Sequence, residues 1–332
     1  MNPKVSILVP MFNVSKYIER SARSIFEQTF DDIEFIFVDD SSTDNSIEKL
    51  KKVIDEYPSR RNNIKIIRNS QNKGIATSRN IAIDLAIGDY IAFVDSDDYV
   101  EKEMVAELYE FALNNNADIV VFDSIFEYGD KKEYISDELS LNNVENIELV
   151  LSQKISHSIW NKFSKSKLFK MEECRAPNGL NFGEDFHISV RLFYFAENIH
   201  KLNKCYYHYN CLNEGSITKK VTEMHFENAI RFWNLVEEFL KVKNIFERCQ
   251  PSMDIPKAQR KLRLVLDTTD SKLRKKYAEI FQQEELRCLT IFTRGERFFL
   301  WLLRKKLYFL FEVFHKIMII KNQLRRISKK LY

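Results

Sequence analysis

The chain has 332 residues, 45% of them hydrophobic, which is ample for a packed core and excludes general disorder. At roughly 150 residues per domain it holds one large domain with an appendage, or two modest ones. Its 51 basic and 48 acidic residues leave a formal charge of +3, a near-balance that excludes a general nucleic-acid binder.

The elements alternate from the start. Val5–Val9 is a short apolar run ending at Pro10, as a buried strand does, and Ser15–Gln28 follows as a helix with Ser15 as its N-cap. Ile33–Val38 is a second strand and Asp44–Tyr57 a second helix; Ile64–Ile67 is a third strand and Gly74–Ile87 a third helix. Tyr90–Val94, Glu101–Asn114 and Ile119–Phe122 continue as strand, helix and strand. This rhythm predicts right-handed crossovers and a parallel, doubly wound α/β sheet, Rossmann-like and flanked by helices. From Asp123 to Leu141 the rhythm fails, with a hairpin expected at Gly129-Asp130. Glu145–Leu151 and Glu184–Ala196 read as helices, Ile199–Tyr209 as a return to the sheet edge, and everything from Thr222 as charged helix. The expected division is 1–220 for the sheet domain and 221–332 for a helical extension.

Cys174, Cys205, Cys211, Cys249 and Cys288 match neither a disulfide framework nor a zinc signature. Met1 leads almost directly into a strand without a secretory signal, so a cytoplasmic location is expected.

In an open parallel sheet, ligands bind beyond the carboxyl ends of the strands. The loops there read Pro10-Met11-Phe12-Asn13, Asp39 to Asp44, Asn69 to Gly74, and Asp95-Ser96-Asp97-Asp98. Acidic groups thus gather on one rim, where they repel one another unless a cation or a ligand compensates them. Asp95-Ser96-Asp97 suits magnesium or manganese, which take oxygen ligands and are usually completed by substrate phosphates. Read alone, that loop is equally an acidic cap on the next helix, with Asp97 or Asp98 as N-cap. No Gly-x-Gly-x-x-Gly and no P-loop signature accompanies the strands, so a dinucleotide fold, a P-loop NTPase and a sugar-nucleotide pyrophosphorylase are disfavoured.

Together, Val5–Asn13, Phe37–Asp44, Asn72-Lys73-Gly74 with Ser78-Arg79-Asn80, and Gly88–Asp98 resemble the family-2 glycosyltransferases of the GT-A fold, of the bacterial surface-polysaccharide type. The resemblance implies an inverting transferase that moves a sugar from a nucleotide diphosphate donor, with UDP expected, to a hydroxyl of a glycan or lipid-linked acceptor. It places Pro10, Phe12, Asn13, Asp40, Asn72, Gly74, Arg79, Asp95 and Ser96 around the donor, with Asp40 accepting a hydrogen bond from the base. Asp95 would face the ribose or donor sugar, and Asp97 would ligate the metal. Arg79 would meet phosphate or lock the loop around Asp95, with a buried structural ion pair as the alternative. Trp160, in Trp160-Asn161-Lys162, resembles the family's acceptor-side tryptophan, against ordinary core packing. Gly183-Glu184-Asp185 matches the family's acid pair, with Glu184 towards the acceptor and Asp185 as catalytic base. At a helix start, the dipole would favour Asp185 ionised. His208, upstream of Gly215-Ser216-Ile217-Thr218, is a weak candidate for the metal, against a partly buried structural histidine.

Arg294–Tyr332 is basic and aromatic, and its apolar runs stop short of the roughly twenty residues a spanning helix needs. Such helices lie in the headgroup layer of anionic membranes, which implies a peripheral place on the inner face of the cell membrane. The alternatives are packing on the catalytic domain or on a partner subunit. A different class of function is a catalytically silent GT-A scaffold that binds membrane or a partner transferase.

Overall fold

Every residue of β1 (Val5–Met11) and β2 (Ile33–Asp39) is buried, the pattern of strands covered on both faces rather than one. The computed structural model describes residues 3–213, 223–268 and 270–328. Around those strands lie α1 (Ile18–Phe26), α2 (Ser46–Glu56), β3 (Ile64–Arg68), α3 (Ile75–Leu85) and β4 (Tyr90–Phe93). Then come β5 (Tyr99–Val100), α4 (Met104–Asn114), β6 (Ile119–Tyr128) and β7 (Lys131–Ile135). The sheet region closes with α5 (Asn143–Leu151), β8 (Lys162–Lys165), α6 (Ser166–Phe169), α7 (Glu184–Phe195) and β9 (Ile199–Asn210).

The strands run in the order β3-β2-β1-β4-β8-β6-β9-β5, with β7 paired to β6. β3, β2, β1 and β4 are parallel neighbours, as the alternation predicts. β8 is antiparallel to both β4 and β6, so the sheet is mixed although mostly parallel. The region expected to be an excursion is a hairpin whose turn holds Gly129-Asp130, in register from Ser124↔Ile135 to Tyr128↔Lys131. β9 is not an edge strand of the expected kind. It runs parallel to β6 over most of its length, and only the two-residue β5 lies outside it.

Helix starts differ from the expectation for a local reason. Ser15 does not cap α1: its N–H donates to Asp44 Oδ2 at 3.0 Å, and the helix begins at Ile18 behind Tyr17. Asp44 closes the turn that leads into α2, accepting from Ser46 N at 3.0 Å one residue ahead of the N-cap Asn45. Asp97 and Asp98 cap nothing, since α4 starts at Met104 behind Glu103.

The chain divides into two compact units, one of 1–219 with 228–242, the other of 220–227 with 243–332. Most of α8 (Glu223–Val242) therefore belongs with the sheet rather than with the helical region. The second unit contains α9 (Phe246–Asp267), α10 (Ser271–Glu279), α11 (Gln282–Arg287), α12 (Arg294–Arg304) and α13 (Tyr308–Ser328). A capping box between Thr293 and Glu296 starts α12. The turn to α13 bends at Lys306, with φ 56°. Phe299, Leu300, Leu302, Leu303 and Phe311 are buried, whereas Phe298, Trp301, Phe309, Phe314 and Ile317 are exposed. Among the described residues no helix is long and apolar enough to cross a membrane. Side chains from Ile320 onward, with the basic residues Lys321, Arg325, Arg326, Lys329 and Lys330, lie outside the described residues.

Candidate active site

The parallel register brings the strand ends to one rim. Asp40 N donates to Met11 O at 2.9 Å, Asn69 N to Asp39 O at 2.8 Å, and Val94 N to Leu8 O at 3.0 Å. Pro10 stays inside the strand opposite Val38, and Phe12 emerges beyond it, 44% exposed. Asn13, at φ 52°, ties the first loop to the second: its Oδ1 accepts from Thr43 N at 2.8 Å, and its own N–H donates to Ser42 Oγ at 2.9 Å.

Asp40 is buried and joins the second loop to the third. Its carboxylate accepts from Asn69 Nδ2 at 2.7 Å, Lys73 N at 2.8 Å and Gly74 N at 2.7 Å. Three fixed donors occupy most of its acceptor capacity, which leaves about one lone-pair direction for a base. Asp39 serves the loop, accepting from Ser42 N at 3.2 Å and pairing with Arg68 Nε at 3.2 Å. Gly74 sits at φ 87° as N-cap of α3, and a Cβ there would fall 2.2 Å from the Asn181 side chain. Glycine is required at this position. Asn72 is exposed on the same loop.

The acidic turn after β4 is held from far along the chain. Tyr207, fully buried in β9, accepts from Asp95 N at 2.9 Å and donates to Asp98 Oδ2 at 2.8 Å. Asn213 Nδ2 donates to Asp97 Oδ2 at 2.7 Å. Burial, reinforced by Asp95, pushes the Asp97 carboxyl above its ordinary range. Burial, with Asp97 and Asp95, pushes Asp98 well above it. Ser96 is buried between them. The turn therefore carries negative charge that its own surroundings do not compensate.

Arg79 is the meeting point of three stretches of chain. It is buried in α3, and its guanidinium pairs with Asp95 at 3.1 Å and with both Glu184 and Asp185 at the start of α7. Its Nε–H has no acceptor among the described residues. One cation thus faces three carboxylates, so the corner is left with excess negative charge. Burial pushes Asp185 up to about 8, and Glu184 and Asp95 reinforce the rise that Arg79 opposes. Burial raises Glu184 as well. The helix dipole that was expected to keep Asp185 ionised is outweighed by this desolvation.

The acceptor role expected of Trp160 and the weak metal role of His208 do not fit the observed surroundings. Trp160 is only 4% exposed and lies parallel to Tyr207 at 4.2 Å and Tyr209 at 5.9 Å. Its faces are taken up in the core, so it supports Tyr207 and offers no stacking surface to a sugar. His208 Nε2 lies 2.8 Å from Glu101 and Nδ1 lies 3.2 Å from Glu127, while the ring stacks on Tyr99 at 4.2 Å. With both nitrogens against carboxylates, it presents no lone pair to a metal. Gly215 to Thr218 lie outside the described residues. Among the described residues no three His, Cys, Asp or Glu side chains converge as a metal cage.

Comparison with known proteins decides the family. The model of Glycosyl transferase family 2 matches residues 6–175. The chain belongs to this glycosyltransferase family. The uncharacterized glycosyltransferase EpsJ of Bacillus subtilis (strain 168) is 29% identical, covering 95% of this chain and 96% of EpsJ. The glycosyltransferase GlyA of Streptococcus pneumoniae is 32% identical over 67% of this chain, which spans only 32% of GlyA. Among solved structures, residues 1–349 of Staphylococcus aureus TarS in complex with UDP-GlcNAc superimpose with a TM-score of 0.71 at 21% identity, covering 94% of this chain and 90% of that one. That likeness establishes the GT-A fold.

The family-2 match stops short of Glu184, Asp185 and Tyr207. Three residues of this glycosyltransferase's site were missed from sequence: Tyr207, which carries the acidic turn, Asn213 on Asp97, and Asn181 against Gly74. For Tyr207 a signal existed. Period-two alternation along Cys205, Tyr207 and Tyr209 puts two tyrosines on one strand face, and a buried tyrosine hydroxyl needs partners.

Proposed function

We propose that this glycosyltransferase moves a hexose or N-acetylhexosamine, with inversion, from a UDP-sugar to a hydroxyl of a glycan or lipid-linked acceptor in surface polysaccharide synthesis. The observation that carries the reading is the Arg79 corner, which brings Asp185 from α7 to Asp95 after β4 across 90 residues of sequence. A carboxyl raised towards neutrality is suited to general base catalysis. Asp185 takes the proton of the acceptor hydroxyl as its oxygen bonds to the anomeric carbon. The bond from that carbon to the diphosphate breaks, and its electron pair leaves with the diphosphate. Glu184 flanks the acceptor side, and Arg79 keeps Asp95 and the acid pair in one place.

Pro10, Phe12 and the Asp40 seat form the nucleotide side in this reading, with Asn13, Asn72 and Gly74 shaping the loops around it. The acidic turn fits a divalent cation: its donors are all carboxylate oxygens, and after burial it is Asp95 that raises the proton affinity of Asp97, and Asp97 with Asp95 that raise that of Asp98. Asp97 would hold manganese or magnesium, whose charge would stabilise the departing diphosphate, with donor phosphates completing the coordination. A mannosyltransferase from Pyrobaculum calidifontis, solved with GDP-Man and Mn2+, superimposes with a TM-score of 0.50 at 14% identity, covering 96% of this chain and 88% of that one. For TarS, the name records poly(ribitol-phosphate) β-N-acetylglucosaminyltransferase activity, and 27% identity over 64% of this chain supports a surface-polymer acceptor. Titration calorimetry tests the metal assignment. Asp97→Ala should lose most of the manganese-dependent gain in UDP-sugar affinity, and an affinity equal to that of the unaltered protein would overturn it.

The helices α12 and α13 are read as the membrane-facing element. Phe298, Trp301, Phe309, Phe314 and Ile317 present an exposed apolar and aromatic surface, and Lys305 and Lys306 stand at the turn between the helices. Flotation with vesicles containing anionic lipid should recover the full chain, and recovery should drop several-fold for the doubly substituted Phe309→Asp, Ile317→Asp chain. Equal recovery would end this assignment.

A further inference from the structure

The turn that leads into β8 is held by two buried charged residues. The Lys162 ammonium donates to Ser156 O at 2.9 Å, to Ser158 O at 2.5 Å and to Asn161 Oδ1 at 2.9 Å. The Asp137 carboxylate accepts from Ser156 N at 2.9 Å and from Asn161 Nδ2 at 3.0 Å. Buried polar groups bonded in this way fix a single backbone path. Between the two carbonyls that Lys162 holds stands His157, whose own carbonyl accepts from Ser189 Oγ of α7 at 2.7 Å. Its side chain is exposed.

His157 lies against the same end of α7 as Asp185. Ser189 is four residues beyond Asp185, so the two share one helix face a turn apart. The imidazole stacks on Phe186, the neighbour of Asp185, with 5.1 Å between ring centres and 22° between planes. Phe186 is buried against Phe232 and Trp233 of α8, at 4.7 Å and 5.7 Å, so the imidazole rests on a firm support. Among the described residues, no side-chain hydrogen bond and no other ring contact engages His157. Protein packed around the ring desolvates it and, with the Lys162 charge, holds the imidazole down at about 4. It is therefore a flat, neutral ring, backed on one face and open on the other. An open face is what Trp160 lacks.

We propose that His157 is an acceptor-specificity residue, whose open face stacks on the pyranose ring that receives the sugar. The proposal rests on Asp185 being the base, which puts the acceptor hydroxyl at this end of α7. A pyranose suits the imidazole because its C–H face is flat and apolar. Its hydroxyls can also meet the one donor and one acceptor nitrogen of a neutral ring. An open-chain alditol has no such face. A histidine that merely covered Phe186 would influence stability and leave acceptor binding unmoved.

The test uses the full chain labelled with 13C-histidine and saturated with UDP and magnesium. The His157 ring signal is the one of six that His157→Phe removes. It should shift saturably with at least one of the methyl pyranosides of glucose, galactose, N-acetylglucosamine and N-acetylgalactosamine, and should stay in place with ribitol. With the pyranoside that serves as acceptor, His157→Ala should raise KM roughly three- to tenfold, the worth of one ring-stacking contact. In that variant kcat and UDP-sugar affinity should be retained, and His157→Phe should restore KM. A signal unmoved by all four pyranosides, an equal shift with ribitol, or an unchanged KM in His157→Ala would overturn the proposal. Failure of the base assignment looks different: Asp185→Asn would then transfer sugar at the unaltered rate, whatever the His157 signal does.

Discussion

Asp40 and Asp185 are both aspartates beside the first turn of a helix, α3 and α7, and their surroundings are opposite. Asp40 receives two backbone N–H groups and one side-chain amide, all neutral and fixed by the loop they close. Asp185 shares one guanidinium with two other carboxylates, and its side chain is 18% exposed. The first acid is satisfied by its surroundings and holds a loop in shape. The second is desolvated beside two further carboxylates that share its one guanidinium, so gaining a proton is favourable. Burial alone does not distinguish chemistry from architecture; the balance of donors around the buried group does.

Substitutions can break that comparison at either end. Asp185→Asn should cost about a hundredfold to ten-thousandfold in transfer rate, with the melting temperature and donor affinity retained; initial rates beside a thermal melt decide it. Asp40→Ala should lose about 1.5–3 kcal/mol in a denaturant melt because charge-assisted bonds are removed and three donors are stranded, and should weaken donor binding along with the loop it closes. A large rate loss without a stability loss would reverse the roles drawn for the two acids. The smallest effect is expected for Tyr207→Phe, about 1 kcal/mol of stability with weaker manganese response, since Asp95 and Asp98 lose their shared hydroxyl.

The strand-end loops were legible because their chemistry is local. An apolar run that stops at Pro10 or Val94 fixes where the rim begins, and the acids follow within a few residues. What escaped was set by partners distant in sequence. Trp160 reads as a sugar platform until Tyr207 and Tyr209 are seen to cover it. His208, a weak ligand candidate beside its structural reading, is settled as structural only when Glu101 and Glu127 are seen to take its nitrogens. Ser15 reads as a cap until Asp44 claims its N–H. The antiparallel β8 was hidden too, because Lys162–Lys165 carries only Phe163 as a large apolar residue. In each case the residue type was informative and its partner was not.

The hydroxyl of Tyr207 spans 112 residues to Asp95, and loops that long close slowly during folding. The acidic turn can thus gain its anchor only after β9 has docked beside β6. A nascent chain that has emerged only as far as residue 175 would possess the whole first half of the rim without its clasp or its acid pair. With Asp185 as the proposed base, such a fragment would lack the group that takes the acceptor proton, and transfer would begin only once synthesis has passed β9.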